Sequence, residues 1–337
     1  VAPDSARESK AKRAQRRPIS SPHLHTPLNL NTHDSHPMKT TFYILFALAA
    51  FLVPAHAKLN VVATLPDYGA VAREIGGDKV DVTVLAKPTE DPHFVDARPS
   101  FIVKLRSADV LIEGGAELEM GWLPPLLQNA RNAKIETGQP GRVVASQGLR
   151  LMNVPATLTR AAGDVHAMGN PHFMIDPIIA KAVAQHIAEA YAAVDPANAV
   201  AYRANYTKFE QAIDAKLQEW GRALLPYKGQ AIVAFHDSWP YFAHRFGLVS
   251  EIFLEPKPGI PPSPSHLAEV ITQMKAAHAK VILVEPFHNR KVAEKVAAST
   301  GAHVVDVAHF PGALPNTDTY VAQLDAVVAR VAAALKE

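Results

Sequence analysis

The chain has 337 residues, no cysteine, and 34 Lys+Arg against 32 Asp+Glu, a formal net charge of +2 with 16 His counted as neutral. A hydrophobic share of 48% is too high for a disordered chain, and the length exceeds what one hydrophobic core usually serves. Without cysteine, disulfide frameworks, zinc fingers, iron–sulfur clusters and thiol nucleophiles are excluded.

Residues 1–37 carry six Lys/Arg and three acids, are punctuated by proline and show no apolar periodicity. Such a segment cannot bury enough surface to offset its ordering entropy, so it reads as a disordered upstream extension absent from the mature protein. A secretory signal peptide is expected over 38–57: Met38-Lys39, the apolar run Phe42–Val53, then Ala55-His56-Ala57. The apolar run is too short to cross a bilayer, which takes ~20 residues. Lys58 rather than a cysteine follows Ala57, so no lipid anchor is expected. Removing seven Lys/Arg and three acids with the leader leaves 27 and 29, a net charge of −2 over 280 residues. The basic balance belongs to the leader, no nucleic-acid footprint remains, and a periplasmic location is expected.

Beyond the leader, short β-branched runs alternate with amphipathic stretches. Strands are predicted over 59–65, 80–85, 109–113, 230–235, 248–254, 280–285 and 303–307. Helices are predicted over 68–75, 99–107, 265–279, 290–299 and 319–335. Strand–helix alternation implies an α/β protein with parallel sheets, and it occurs twice. Between the two runs lies a helical block, 177–193 and 197–225, the second carrying Tyr202, Tyr206, Phe209, Ile213 and Leu217 at helical spacing. The expected organisation is an N-terminal lobe (58–194), a long linking helix (195–226) acting as a stiff strut, and a C-terminal lobe (227–337).

Eleven histidines follow the leader. His93 comes after the 80–85 strand, His236 directly after the 230–235 strand, and His309 just past the 303–307 strand, which contains Asp306; His172 stands in Asn170-Pro171-His172. Ligands of open α/β sheets collect beyond the carboxyl ends of strands, and imidazole suits Zn²⁺ at ~2.0–2.1 Å. Two ligands from each lobe would place an ion in the cleft, with the prolines before His93 and His172 restricting the backbone. An isolated histidine after a strand is commonly an ordinary loop residue, and the recurrence is what favours a metal. His186, His266 and His278 read as surface residues and His244 as a packing residue. His288 remains open as a cleft residue, and His166 reads as an exposed loop histidine or else a capture ligand.

Several motifs occur in order: Asp91-Pro92-His93 with Arg98-Pro99-Ser100, Asn170-Pro171-His172 with Asp176-Pro177, Phe235-His236 with Tyr241-Phe242 and Gly247-Leu248, Glu255-Pro256 with Pro261-Pro262-Ser263, and Val284-Glu285-Pro286. Together, from Lys58 to the C-terminus, they resemble the metal-binding solute receptors of ABC transporters with the TroA-like fold, most nearly the zinc-uptake members. The resemblance implies two α/β lobes joined by one rigid helix, His93, His172 and His236 as ligands, and Zn²⁺ as the carried ion. It implies an inner-membrane ABC permease with its ATPase as partner, and a monomeric receptor rather than an enzyme. The family's fourth ligand, usually an Asp after the last strand, does not map onto one residue: position favours His309, residue type favours Asp306, and water is the third option. The family's long His- and acid-rich loop is missing. The alternatives are a Mn²⁺ or Fe²⁺ receptor of the same fold or an adhesin-like exported protein and, from another class, a secreted zinc hydrolase. The hydrolase would have Glu90 or Glu285 as its base, but no His-Glu-x-x-His pair occurs, and Glu285 reads better as a structural contact.

Overall fold

The computed structural model describes residues 57–156 and 166–337; the expected upstream extension and all but the last residue of the expected signal peptide lie outside them. Two four-stranded sheets organise the chain, each wholly parallel. The first has order β2-β1-β3-β4, from β1 (Leu59–Ala63), β2 (Val80–Val84), β3 (Val110–Glu113) and β4 (Arg142–Val144). The second has order β6-β5-β7-β8, from β5 (Ala231–Ala234), β6 (Val249–Phe253), β7 (Val281–Val284) and β8 (His303–Asp306). Counted within each sheet the order is the same, although the sequence carries no repeat. The two central strands of each sheet are nearly continuous buried apolar runs, as strands covered on both faces must be.

Prolines set where most of the helices begin. α1 (Pro66–Gly76), α2 (Pro99–Ser107), α4 (Pro177–Val194), α6 (Pro240–Phe246) and α7 (Pro264–Ala276) start on proline, and α3 (Leu123–Ala130) has it within its first turn. Proline's fixed φ suits the first turn, where its missing N–H is not needed. α5 (Ala199–Leu224) is the expected long helix, and α8 (Arg290–Thr300) and α9 (Tyr320–Lys336) complete the set. β4 and α3 have no counterpart in the sequence reading: β4 is three residues long, and α3 is eight residues holding two adjacent prolines.

α5 connects the first sheet to the second in the chain and packs on α4, α1 and α9. Its buried face is Tyr202, Phe209, Ile213, Trp220 and Leu224, with Trp220 Nε1 donating to Asp325 Oδ1 at 2.8 Å. One apolar core continues from the first sheet through α4 and α5 into α6, β7 and α9. The lobes therefore share a core along the strut.

A polar clamp reinforces that junction. Asp176, 3% exposed, caps α4 through Ile178 N–H and receives Arg245 of α6 in a two-point pair, Nε–Oδ1 and Nη2–Oδ2 both 2.8 Å. Tyr241 Oη donates to the Asn170 carbonyl at 2.7 Å and accepts from Met152 N–H at 2.9 Å, while Asn170 Nδ2 donates to the Asp237 carbonyl at 2.6 Å. Replacing Arg245 by Ala would strand a buried carboxylate; because Arg245 is partly solvated, a loss of about 1–3 kcal/mol is expected. The readout is a lower urea midpoint at unchanged slope, and an unchanged midpoint would contradict the clamp.

Candidate metal centre

Every strand of both sheets points its carboxyl end toward one region, and the loops leaving those ends carry the site. His93 follows β2, His172 stands between β4 and α4, His236 lies two residues past β5 and His309 three past β8. The rings of His93, His172 and His236 lie 5.2–5.3 Å apart, centroid to centroid, and one nitrogen from each falls within 4.8 Å of the other two. No other such group of three occurs among the described residues.

Carboxylates set the orientation of two of these rings. Asp91 Oδ1 holds His93 Nδ1 at 2.8 Å and also accepts the His93 backbone N–H; Glu255 Oε2 holds His236 Nδ1 at 3.0 Å. With Nδ1 taken, each ring turns Nε2 inward, the arrangement that fixes tautomer and raises ligand basicity in metal-binding histidines. His172 Nε2 is buried with no hydrogen-bond partner among the described residues. A buried nitrogen lone pair without a donor is costly, and a cation bound there would satisfy it.

Burial, together with the neighbouring imidazoles of His93, His236 and His309, holds His172 well below the ordinary imidazole range, so the ring is neutral and ready to ligate. His236 goes the other way. Burial pulls its value down, but the Glu255 hydrogen bond and charge, with Glu285 and Asp237, raise it above the ordinary value. At pH below that raised value, a metal ion has to displace a proton at His236.

His309 lies beside the cluster, outside the group of three. Its ring is 5.7 Å from His172 and packs 4.4 Å from Trp239, and its Nε2 approaches Glu285 Oε1 at 3.4 Å without hydrogen-bond alignment. Asp306 is removed from it. Alternation along β8 buries Val305 and turns Asp306 to solvent, where it pairs with Arg290 of α8 at 2.5 Å. Asp306, His309 and His166 all lie outside the convergent group of three.

Glu285 is the structural contact its sequence context suggested. Fully buried, it accepts Ser238 Oγ at 2.8 Å, Trp239 Nε1 at 2.7 Å and His288 Nδ1 at 3.0 Å. Burial would raise its pKa, but the His288 hydrogen bond and the adjacent His309 imidazole hold it well below the usual carboxylate range. His288 does line the cavity, stacked 4.2 Å over Phe235. His244 is exposed rather than packed. His166 is half-buried rather than an exposed loop residue: its Nε2 faces His93 Nε2 at 3.2 Å. The Asn170–His172 segment is tied to α6 by the Tyr241 and Asn170 bonds and leads into α4, which packs on β3, β4 and α1, so His172 is anchored to both lobes.

Glu255→Gln should weaken divalent-metal binding about 10- to 100-fold at neutral pH and move the acid-side loss of affinity to lower pH, since His236 would no longer be raised. Asp306→Asn should leave binding unchanged. Metal titrations across pH 5–8 check both, and an unaltered pH profile in Glu255→Gln would contradict the bracing role.

Known proteins resemble the chain over most of its length. The chain is 28% identical over 280 residues to the high-affinity zinc uptake system protein ZnuA of Paracoccus denitrificans, covering 73% of this chain and 82% of that protein. It is 27% identical over 285 residues to the iron-binding protein YfeA of Yersinia pestis, covering 82% and 86%. A crystal structure of a ZnuA deletion mutant with zinc bound superposes with a TM-score of 0.70 at 27% identity, over 82% of this chain and 98% of that one. The family model described as zinc-uptake complex component A, periplasmic (ZnuA), matches residues 61–334, and the chain belongs to that family.

Proposed function

We propose that this protein is a periplasmic receptor that captures Zn²⁺ on His93, His172 and His236 in the cleft between its lobes and passes it to an ABC-type importer, a membrane permease with its ATPase. The observation that carries the reading is the convergence of three imidazoles, two braced by carboxylates and one with a buried unpartnered Nε2. An all-nitrogen set suits zinc, whereas oxygen-rich sets suit Mn²⁺ better. Family membership supports the receptor role over a hydrolase. The carboxylates nearest the histidines, Asp91 and Glu255, are occupied as imidazole braces, so neither is free to serve as a general base on metal-bound water.

Capture and release follow from how the ligands are mounted. The clamp around Asp176, Arg245 and Tyr241 keeps His172 beside His236, so separation of the lobes withdraws His93 first. Loss of that ligand would loosen the ion for exchange with a permease. The second reading, an Fe²⁺ or Mn²⁺ receptor of the same fold, is favoured by the similarity to YfeA, an iron-binding protein.

Calorimetric titration of the metal-free protein should give a Zn²⁺ Kd below about 1 μM, and His172→Ala should raise it by at least about 100-fold while the far-ultraviolet spectrum stays that of the parent. Affinity should fall as pH drops, because His236 must give up its proton. Absence of sub-micromolar zinc binding would sink the reading. Displacement of bound Zn²⁺ by equimolar Mn²⁺ or Fe²⁺ would favour the second.

A further inference from the structure

The three-histidine group leaves one tetrahedral position open; Asp306 is turned outward to Arg290, while His309 packs on Trp239 with its buried Nε2 3.4 Å from Glu285. We propose that His166, from the segment between β4 and α4, is the fourth protein ligand of the bound ion; this rests on the zinc-receptor reading above.

Distance is the first argument. Two donors ~2.0–2.1 Å from a tetrahedral zinc stand about 3.3–3.4 Å apart, and His166 Nε2 is 3.2 Å from His93 Nε2. That edge of the tetrahedron is already at coordination length. His93 Nδ1 is committed to Asp91, so Nε2 of each ring is the atom available to a shared cation.

The second argument is that His166 is mounted on a built support. After β3 the chain runs Gly114-Gly115-Ala116-Glu117, with φ of +70°, +51° and +66° at the last three. Left-handed backbone at Ala116 and Glu117 is disfavoured for residues with a Cβ and persists only where surroundings impose it. Gly115 could not be otherwise, since a Cβ there would stand 2.5 Å from Ser146 Oγ. Buried Glu119 closes the turn, accepting Gly114 N–H at 2.7 Å, Gly115 N–H at 3.2 Å and Thr64 Oγ1 at 2.7 Å. The turn presents two groups to the His166 segment. Glu117 Oε2 accepts the Ala167 N–H at 2.5 Å, and the Ala116 backbone hydrogen-bonds the His166 imidazole.

The third argument concerns the competitors. Asp91 and Glu255 are spent on His93 and His236. Asp237 keeps one unpartnered oxygen, Oδ1, while its Oδ2 accepts Asn153 Nδ2 at 3.0 Å. Asp237, His166, His172 and His236 share a small recess with Asn153 and Pro258; of its members outside the group of three, His166 alone has a nitrogen at coordination spacing from a ligand of that group.

Zinc K-edge X-ray absorption on the zinc-loaded full chain separates the outcomes by counting imidazoles. Four are expected for the parent and three plus an oxygen for both His166→Ala and His166→Gln, with Zn²⁺ affinity lowered at least about tenfold in each. Co²⁺-loaded protein should show intense four-coordinate visible bands that weaken in the same variants. An unchanged imidazole count in the His166 variants would overturn the proposal and leave the His93–His166 contact as a plain hydrogen bond. So would loss of an imidazole in His309→Ala, or of an oxygen donor in Asp237→Asn with His166 uninvolved. A parent protein that binds no zinc would instead overturn the receptor reading and this proposal with it.

Discussion

Imidazoles packed into a buried cleft must have their nitrogens satisfied, and here carboxylates do much of that. Asp91 takes His93 Nδ1, Glu255 takes His236 Nδ1 and Glu285 takes His288 Nδ1. Each such bond fixes a tautomer and a ring direction, and for His93 and His236 the direction leads Nε2 to a common point. Without the braces, neighbouring rings 5.2–5.3 Å apart would be free to rotate, and an ion would first have to order them. The braces place that ordering cost in the folding of the protein. They also set opposed protonation behaviour in neighbours: burial keeps His172 neutral, while Glu255 keeps His236 readily protonated.

The fold serves this arrangement by bringing loops from both sheets to one place and limiting how they move. Two parallel sheets of the same order each aim their carboxyl ends at the cleft, and α5, packed on α1, α4 and α9, joins them through a shared core. A hinge of flexible residues would permit wide opening; a 26-residue helix buried along one face does not. The Asp176–Arg245 pair and the Tyr241 bridge further restrict the side holding His172 and His236.

Much of this was legible in the sequence, for physical reasons that can be named. The strands show as β-branched runs and the helices as periodic stretches, most opened by proline, so seven of the eight strands and α5 were placed from the chain alone. His93, His172 and His236, which the structure brings together, each carry a local marker: a preceding proline, or a strand ending directly before it. The two residues nominated for the fourth position stand apart from the group of three, for separate reasons. Asp306 has the right residue type, but strand alternation turns it outward to Arg290. His309 has the right chain position, but its ring is held between Trp239 and Glu285. His166 carries no marker in its own neighbourhood. Its support, the left-handed turn at Gly115–Glu117, lies about fifty residues earlier, and only Gly114-Gly115 hints at it.

The central claim is that one ion sits where the Nε2 atoms of His93, His172 and His236 converge. Its most direct test is a crystal of the zinc-loaded protein measured on both sides of the zinc absorption edge. One anomalous peak is predicted, within about 2.0–2.2 Å of a nitrogen of each of the three rings. A peak at the His288–Glu285 side of the cavity, or none in a protein that retains zinc in solution, would contradict it.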